Sequence, residues 1–268
     1  MTIEIAFLQD DFPELDRDGN RARVTRAAED AAARGCDVLA LPELWCSGYD
    51  LARVAEVDDW EREFEFLADL SRDTGLAILG GSLLEPVPGG DAGKFYNCAV
   101  VFDRGAELAR YRKAHLFAPL GEDRFLEPGP ELPTTFDVRG VRCALSVCYD
   151  LRFPELYRQV VTSDEENPGI DLLFVPAQWP MVRVHHWRTL LIARAIENQC
   201  FVLGVNRRGK YGEVEFGGNS LLVDPWGGLT LDARDDVGLL TTSLDPTLLA
   251  DAKKKLPTLP DRRTDLYP

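Results

Sequence analysis

A thiol on the turn between a strand and a helix is a potential nucleophile, provided the rest of the chain activates it. Cys148 stands in that position, inside the stretch VRCALSVCYDLRFPELY at 141–157. Its first half, with Val141, Cys143, Ala144, Leu145 and Val147, reads as a buried strand. Pro154 then suits the first turn of a helix. A cysteine thiol is little ionised at neutral pH, so it needs a base or a lowered pKa, and alone it is more often a small core hydrophobe. Two other strand ends provide help. The run 37–43, DVLALPE, ends in the Glu43 carboxylate, and the strand at 107–111 leads into Arg112 and Lys113. A carboxylate to move protons, an ammonium to face an oxyanion and a thiol to attack are the parts of an acyl-transfer site.

The elements that must position these groups follow from periodicity. Strands are expected at 3–8, 37–43, 76–81, 97–102 and 107–111, the last two joined as a hairpin by Asp103-Arg104-Gly105, with helices at 17–34 and 58–72. The stretch 86–93 is turn-rich. The second half repeats the order: strand 141–147, helix 154–161, strand 171–175, helix 184–198, strand 200–205, and strands near 219–223 and 229–232. Alternating strands and helices predict a layered α/β architecture, and the extra strands in each half suggest two sheets face to face with helices outside, in one domain spanning 1–268. The paired glycines at 80, 89, 217 and 227 lack a phosphate-loop pattern and read as turns and close approaches. Lysines 253–255 end a last helix before Pro257, where the dipole favours them.

Composition narrows the classes. A net charge of -15 and 45 acidic residues against 30 basic ones argue against nucleic-acid or anionic-membrane partners. No apolar run is long enough to span a membrane, and the acidic N-terminal stretch enters a strand at once, which predicts no signal peptide and a cytoplasmic location. Six cysteines with no CxxC pair and no histidine at metal spacing predict free thiols, no metal and no cofactor. Only six lysines stand beside twenty-four arginines, a balance that fits an arginine-rich genome or adaptation to high salt.

Three motifs, Leu41-Pro42-Glu43, Tyr111-Arg112-Lys113-Ala114-His115-Leu116-Phe117 and Val147-Cys148-Tyr149-Asp150-Leu151-Arg152-Phe153-Pro154-Glu155, resemble those of the nitrilase superfamily of carbon-nitrogen hydrolases. The resemblance extends through Pro176-Ala177-Gln178-Trp179-Pro180 and Ala193-Arg194-Ala195-Ile196-Glu197-Asn198 to Gly204-Val205-Asn206-Arg207, covering almost the whole chain. It implies a four-layer αββα sandwich, with Cys148 as nucleophile, Glu43 as general base and acid, and Lys113 facing the tetrahedral intermediate. It also implies a second glutamate, for which Glu122 fits, with Asp123 and Glu127 in the same loop. The Tyr149 backbone N–H is the expected second oxyanion donor, and Tyr149, Trp179 and Tyr49 are expected to line the pocket. The sequence Cys-Tyr-Asp-Leu-Arg-Phe-Pro is most similar to the omega-amidase and deaminated-glutathione amidase branch, so a small omega-amide is the expected substrate. Carbamoylase and nitrilase activities, a non-catalytic scaffold, and a cysteine protease or acyl transferase remain as alternatives.

Other residues carry quieter expectations. His115, rather than forming a dyad with Cys148, is read as a hydrogen-bonded structural histidine; His185 and His186 are the other two candidates. Cys46 is expected to line the pocket without reacting, and Asp150 and Arg152 to form a structural charge network. Arg152 and Arg183 are also candidate cations beside the pocket. An even-numbered homo-oligomer, a dimer or larger, is expected through the helices at 154–161 and 184–198. There Trp187, Leu190, Leu191 and Ala195 make an apolar stripe, and Arg188, Arg194 and Glu197 are expected to pair across a two-fold axis.

Overall fold

Alternation along the first strand sets the layering. β1 (Ile3–Gln9) turns Ile3, Ile5 and Phe7 to one side and Ala6 and Leu8 to the other, and all five are buried. The computed structural model describes residues 2–54, 60–89, 94–161, 169–263 and 265–266. In it, the first set packs with residues of a second sheet and the second set packs under helices.

Each of the two large sheets has six strands. The first runs from β14 (Gly238–Leu244) through β1, β2 (Val38–Ala40), β3 (Ala77–Pro86) and β4 (Phe95–Asp103) to β5 (Ala106–Arg112). The second runs from β13 (Leu229–Asp232) through β12 (Leu221–Val223), β9 (Phe201–Asn206), β8 (Leu172–Ala177) and β7 (Val141–Leu145) to β6 (Thr135–Val138). β10 (Arg208–Tyr211) and β11 (Val214–Gly217) form a separate hairpin. Neighbours β1, β2 and β3 are parallel, as are β7, β8 and β9, so the site-bearing loops leave corresponding strand ends.

Helices α1 (Arg17–Ala33) and α3 (Trp60–Thr74), separated by the short α2 (Leu51–Val54), cover the outside of the first sheet with Val24, Ala28, Ala31, Phe64 and Leu67. After β5 comes the single turn α4 (Glu122–Phe125); α5 (Pro154–Val161) and α6 (Val184–Asn198) cover the second sheet. Gly204 of β9 makes the close fit of α6 possible, because a Cβ there would collide with Trp187 and Leu191. The layers are helix, sheet, sheet, helix, the expected αββα sandwich. α7 (Pro246–Lys255) closes the C-terminal region and carries the three terminal lysines.

The bounds of α5 and α6 match the periodicity, and Gly81 has the backbone role expected of a paired glycine: its φ is +63°, and a Cβ would run into the Pro42 carbonyl. The expected strands 37–43 and 141–147 are shorter, β2 ending at Ala40 and β7 at Leu145. In the second case the cause is local, since the Val147 N–H is captured by the Asp150 carboxylate at 3.0 Å and leaves the ladder. Residues 58–59 of the expected helix and 90–93 of the turn-rich stretch lie outside the described residues. Four strands, β6, β10, β11 and β14, were not anticipated.

The reading of α6 needs correction. Trp187, Leu191 and Ala195 are buried against the chain's own sheet. Arg188 pairs with Asp232 at 2.8 Å, and Arg194 with Glu197 and the Leu151 carbonyl, each at 2.8 Å. These charges are satisfied within the chain rather than left for a two-fold partner.

Candidate active site

Three loops bring the predicted groups together. Cys148 opens a 3₁₀ turn running to Arg152, and it does so with a φ of +46°, a left-handed conformation unusual for a residue with a side chain. Asp150 supports that turn. Its carboxylate accepts from the Val147 N–H, from the Tyr111 hydroxyl at 2.9 Å, and from His115 through both the backbone N–H at 3.0 Å and Nδ1 at 2.8 Å. Tyr111 and His115 flank Lys113, so Asp150 ties the Cys148 turn to the segment that presents the lysine. His115, stacked on Phe153 with ring centroids 3.7 Å apart, is a structural histidine as expected.

Lys113 Nζ lies 2.9 Å from Glu43 Oε1 and 2.6 Å from Glu122 Oε1, with all three side chains shielded from solvent. Glu43 is further held by Asn97 Nδ2 on Oε1 at 2.8 Å and by the Gln178 N–H on Oε2 at 2.8 Å. Glu122 takes the Phe117 N–H on Oε2 at 2.6 Å and the Tyr49 hydroxyl on Oε1. Gly121, at φ +80°, turns the chain so that Glu122 begins α4 and points inward, whereas neighbouring Asp123 is exposed. Of the acidic residues in that loop, Glu122 is the one that lies beside Lys113.

Burial would pull the Lys113 ammonium down, but Glu122 and then Glu43 more than offset it, so its pKa stands well above that of an ordinary lysine. For Cys148 burial raises the thiol pKa, and Glu43 raises it further against the opposing effect of Lys113. The thiol is thus neutral at rest beside an ammonium, and to serve as a nucleophile it would have to be deprotonated as it attacks. Burial, then Glu122 and Glu43, likewise keep Tyr49 protonated as a donor.

A pocket of about 270 Å³, mouth included, opens over Cys148 and is lined by Tyr49, Phe117, Tyr149, Arg152, Gln178, Trp179, Pro180 and Arg183. The three expected lining residues, Tyr49, Tyr149 and Trp179, are there. Cys46 is not. It is buried beside Glu63 near α1 and α3, which corrects its expected place, and burial with the Glu63 charge raises its pKa well above normal. Arg152 is a second correction, because it does not join Asp150 in a charge network. Its guanidinium lies over the Trp179 ring at 4.7 Å and donates to His186 Nδ1 at 3.4 Å. Arg183 lies 5.7 Å over the Phe117 ring. Among the described residues neither arginine meets a carboxylate.

Sequence reasoning missed Asn97 and left Gln178 without a role. Asn97 was detectable as the polar residue facing inward in an otherwise apolar strand, FYNCAVVFD. The Gly204-to-Arg207 motif also finds its use here. Asn206 holds the backbone of Trp179 through Oδ1 at 2.7 Å, while fully buried Arg207 reaches Gln178 Oε1 at 2.9 Å and Glu14 Oε1 at 2.6 Å. Among the described residues no group of three or more His, Cys, Asp or Glu side chains is arranged to hold a metal ion, and no helix is long and apolar enough to cross a membrane.

Comparison with known proteins adds a family. The profile described as carbon-nitrogen hydrolase matches residues 4–254. The 2-oxoglutaramate amidase of Bacillus subtilis (strain 168) is 37% identical over 238 residues, covering 88% of each chain. XC1258 from Xanthomonas campestris, a CN-hydrolase superfamily protein solved with an arsenic adduct in its active site, superposes with a TM-score of 0.89 at 30% identity, over 98% of this chain and 97% of that one. An amidase from Nesterenkonia sp. AN1, solved with the acetamide moiety of fluoroacetamide added covalently at its active-site cysteine, gives a TM-score of 0.85 at 29% identity, over 99% and 95% of the two chains.

Proposed function

The chain belongs to the carbon-nitrogen hydrolase family and is an amidohydrolase, and from that premise we propose that it hydrolyses a small omega-amide bearing a carboxylate, through a thioester on Cys148. The observation that carries this reading is the pairing of an acyl-transfer centre, Cys148 with Glu43, Lys113 and Glu122, with two arginines on the pocket wall that have no acidic partner among the described residues. In a protein of net charge -15, cations left unpaired beside a nucleophile favour an anionic substrate.

The steps follow from the groups present. As Cys148 Sγ attacks the amide carbon, the thiol proton passes to Glu43, and the carbonyl oxygen takes up negative charge facing Lys113 and the Tyr149 N–H. Tyr149 is the second residue of the 3₁₀ turn, where an N–H has no partner within the helix and is left for a ligand. Glu43 then gives its proton to the amide nitrogen, the carbon-nitrogen bond breaks, ammonia leaves and the thioester remains. Water attacks that thioester, again losing a proton to Glu43, and the thiol returns as the carboxylate departs. Glu122 holds the lysine in place and supplies a second negative charge that keeps it an ammonium.

The distal carboxylate of the substrate would lie against Arg152 and Arg183, whose guanidinium groups are oriented by the aromatic rings beneath them. The similarity to a 2-oxoglutaramate amidase supports the same substrate class. The test is ammonia release across monocarboxylic amides, omega-amides of keto and dicarboxylic acids, and N-carbamoyl compounds, with intact-mass detection of the acyl-enzyme. Preference for carboxylate-bearing omega-amides with a thioester adduct on Cys148 is expected. A clear preference for neutral amides or carbamoyl compounds would overturn the substrate assignment.

A further inference from the structure

The two oxygens of Glu43 are not held alike. Oε1 accepts from both Lys113 Nζ at 2.9 Å and Asn97 Nδ2 at 2.8 Å, whereas Oε2 accepts from the Gln178 N–H alone among the described residues. Each carboxylate oxygen offers about two acceptor positions. Oε1 is therefore filled, and Oε2 keeps one acceptor position open. We propose that Asn97 is a positioning residue that commits Oε1 and thereby makes Oε2 the oxygen through which protons move. This rests on Glu43 being the general base.

The geometry of Asn97 has its own cost, and the cost supports the assignment. The side chain is fully buried and its Oδ1 has no hydrogen-bond partner. A buried carbonyl left without a donor destabilises a fold, so its retention is explained by what the other half of the amide does. Turning the amide over would set Oδ1 against the Glu43 carboxylate. The backbone of Asn97 contributes as well, its carbonyl accepting the Lys113 N–H at 2.9 Å, so one residue of β4 orients both the base and the cation.

In the reaction, the thiol proton transfers from Sγ to Oε2 as the sulfur electron pair forms the carbon-sulfur bond, and the same proton passes from Oε2 to the departing nitrogen. Without Asn97 the carboxylate is free to rotate, and its charged form loses a donor that favours it.

The experiment is kcat and KM as functions of pH for the wild type, Asn97→Leu, Asn97→Asp and Glu43→Gln, with thermal unfolding of each. Asn97→Leu is expected to lower kcat at least about tenfold with KM within about threefold, and to move the acid limb of kcat/KM to higher pH. Asn97→Asp is expected to behave in the opposite sense towards acid. Its deficit against the wild type shrinks as pH falls, because a protonated carboxyl at position 97 donates where Nδ2 did. An unmoved acid limb in Asn97→Leu, or a deficit in Asn97→Asp that does not shrink, would overturn the proposal; if Asn97→Leu fails to fold, Asn97→Asp decides alone. Full activity in Glu43→Gln would remove the base itself, an outcome distinguishable from failure of the Asn97 variants alone.

Discussion

The ammonium of Lys113 sits 2.6 Å from Oε1 of Glu122, and neither side chain reaches solvent. With Glu43 2.9 Å from the same nitrogen, a single positive charge separates two buried carboxylates. The lysine proposed to face the reacting oxygen therefore also pairs two acidic side chains in the interior.

Lys113→Ala is accordingly expected to lose more than rate. Turnover should fall at least about a hundredfold, and stability near pH 7 by about 3–5 kcal/mol, the usual cost of leaving buried charge unpaired. Glu43→Gln, which leaves the Lys113 pair with Glu122 intact, should show a similar loss of rate with a smaller fall in thermal midpoint. Steady-state kinetics and thermal unfolding at pH 7 check both.

Cys148→Ala should abolish hydrolysis and thioester formation while the fold is retained, because alanine fits the turn and Asp150 still supports it. Cys46→Ala should keep most activity, its thiol being buried away from the pocket. Turnover by Cys148→Ala near the wild-type rate would remove the nucleophile assignment.

Arg152→Ala and Arg183→Ala should raise KM for a carboxylate-bearing omega-amide by about ten- to a hundredfold each, the scale of a lost charged hydrogen bond. A neutral amide of similar size should change by much less. Added salt should lower KM for the anionic substrate in the wild type, through screening of the acidic surface, in enzyme shown to stay folded. Equal responses of the two substrates would defeat the argument.

A homodimer, or a larger even-numbered assembly, is expected by light scattering at micromolar concentration. With the buried face of α6 already used, the contact would have to recruit its exposed positions. Ile196 is 50% exposed and Val182, just before α6, 79% exposed. Ile196→Glu should yield monomers if that face is the interface; an unchanged assembly would place the interface elsewhere.

Much of the site was legible in the sequence because it lies on short contiguous motifs. Glu43 and Cys148 each follow a strand whose apolar run ends visibly, Lys113 stands directly after the second strand of a hairpin, and the helices at 154–161 and 184–198 are bounded by proline and by a change of periodicity. What escaped depends on contacts between distant segments. Nothing local to Asn97 announces that Glu43 lies across from it, and Arg152 resembles a partner for Asp150 until Tyr111 and His115 are seen to occupy that carboxylate. β14 was missed because its alternation is weak: Leu239, Leu240, Thr241 and Thr242 do not separate into one buried and one solvated face.

That inconspicuous strand governs the order in which the chain can become native. β14 pairs antiparallel with β1 along its full length, from Ile3 opposite Leu244 to Gln9 opposite Gly238. Until the ribosome has made residue 244, β1 remains an open edge with unpaired backbone groups, and the first sheet cannot be completed. Closing a pairing across nearly the whole sequence carries a large loop entropy and slows folding. β1 is thus a strand that must wait for a partner made more than two hundred residues later, and a chain lacking β14 would leave the exterior edge of β1 free to recruit other chains.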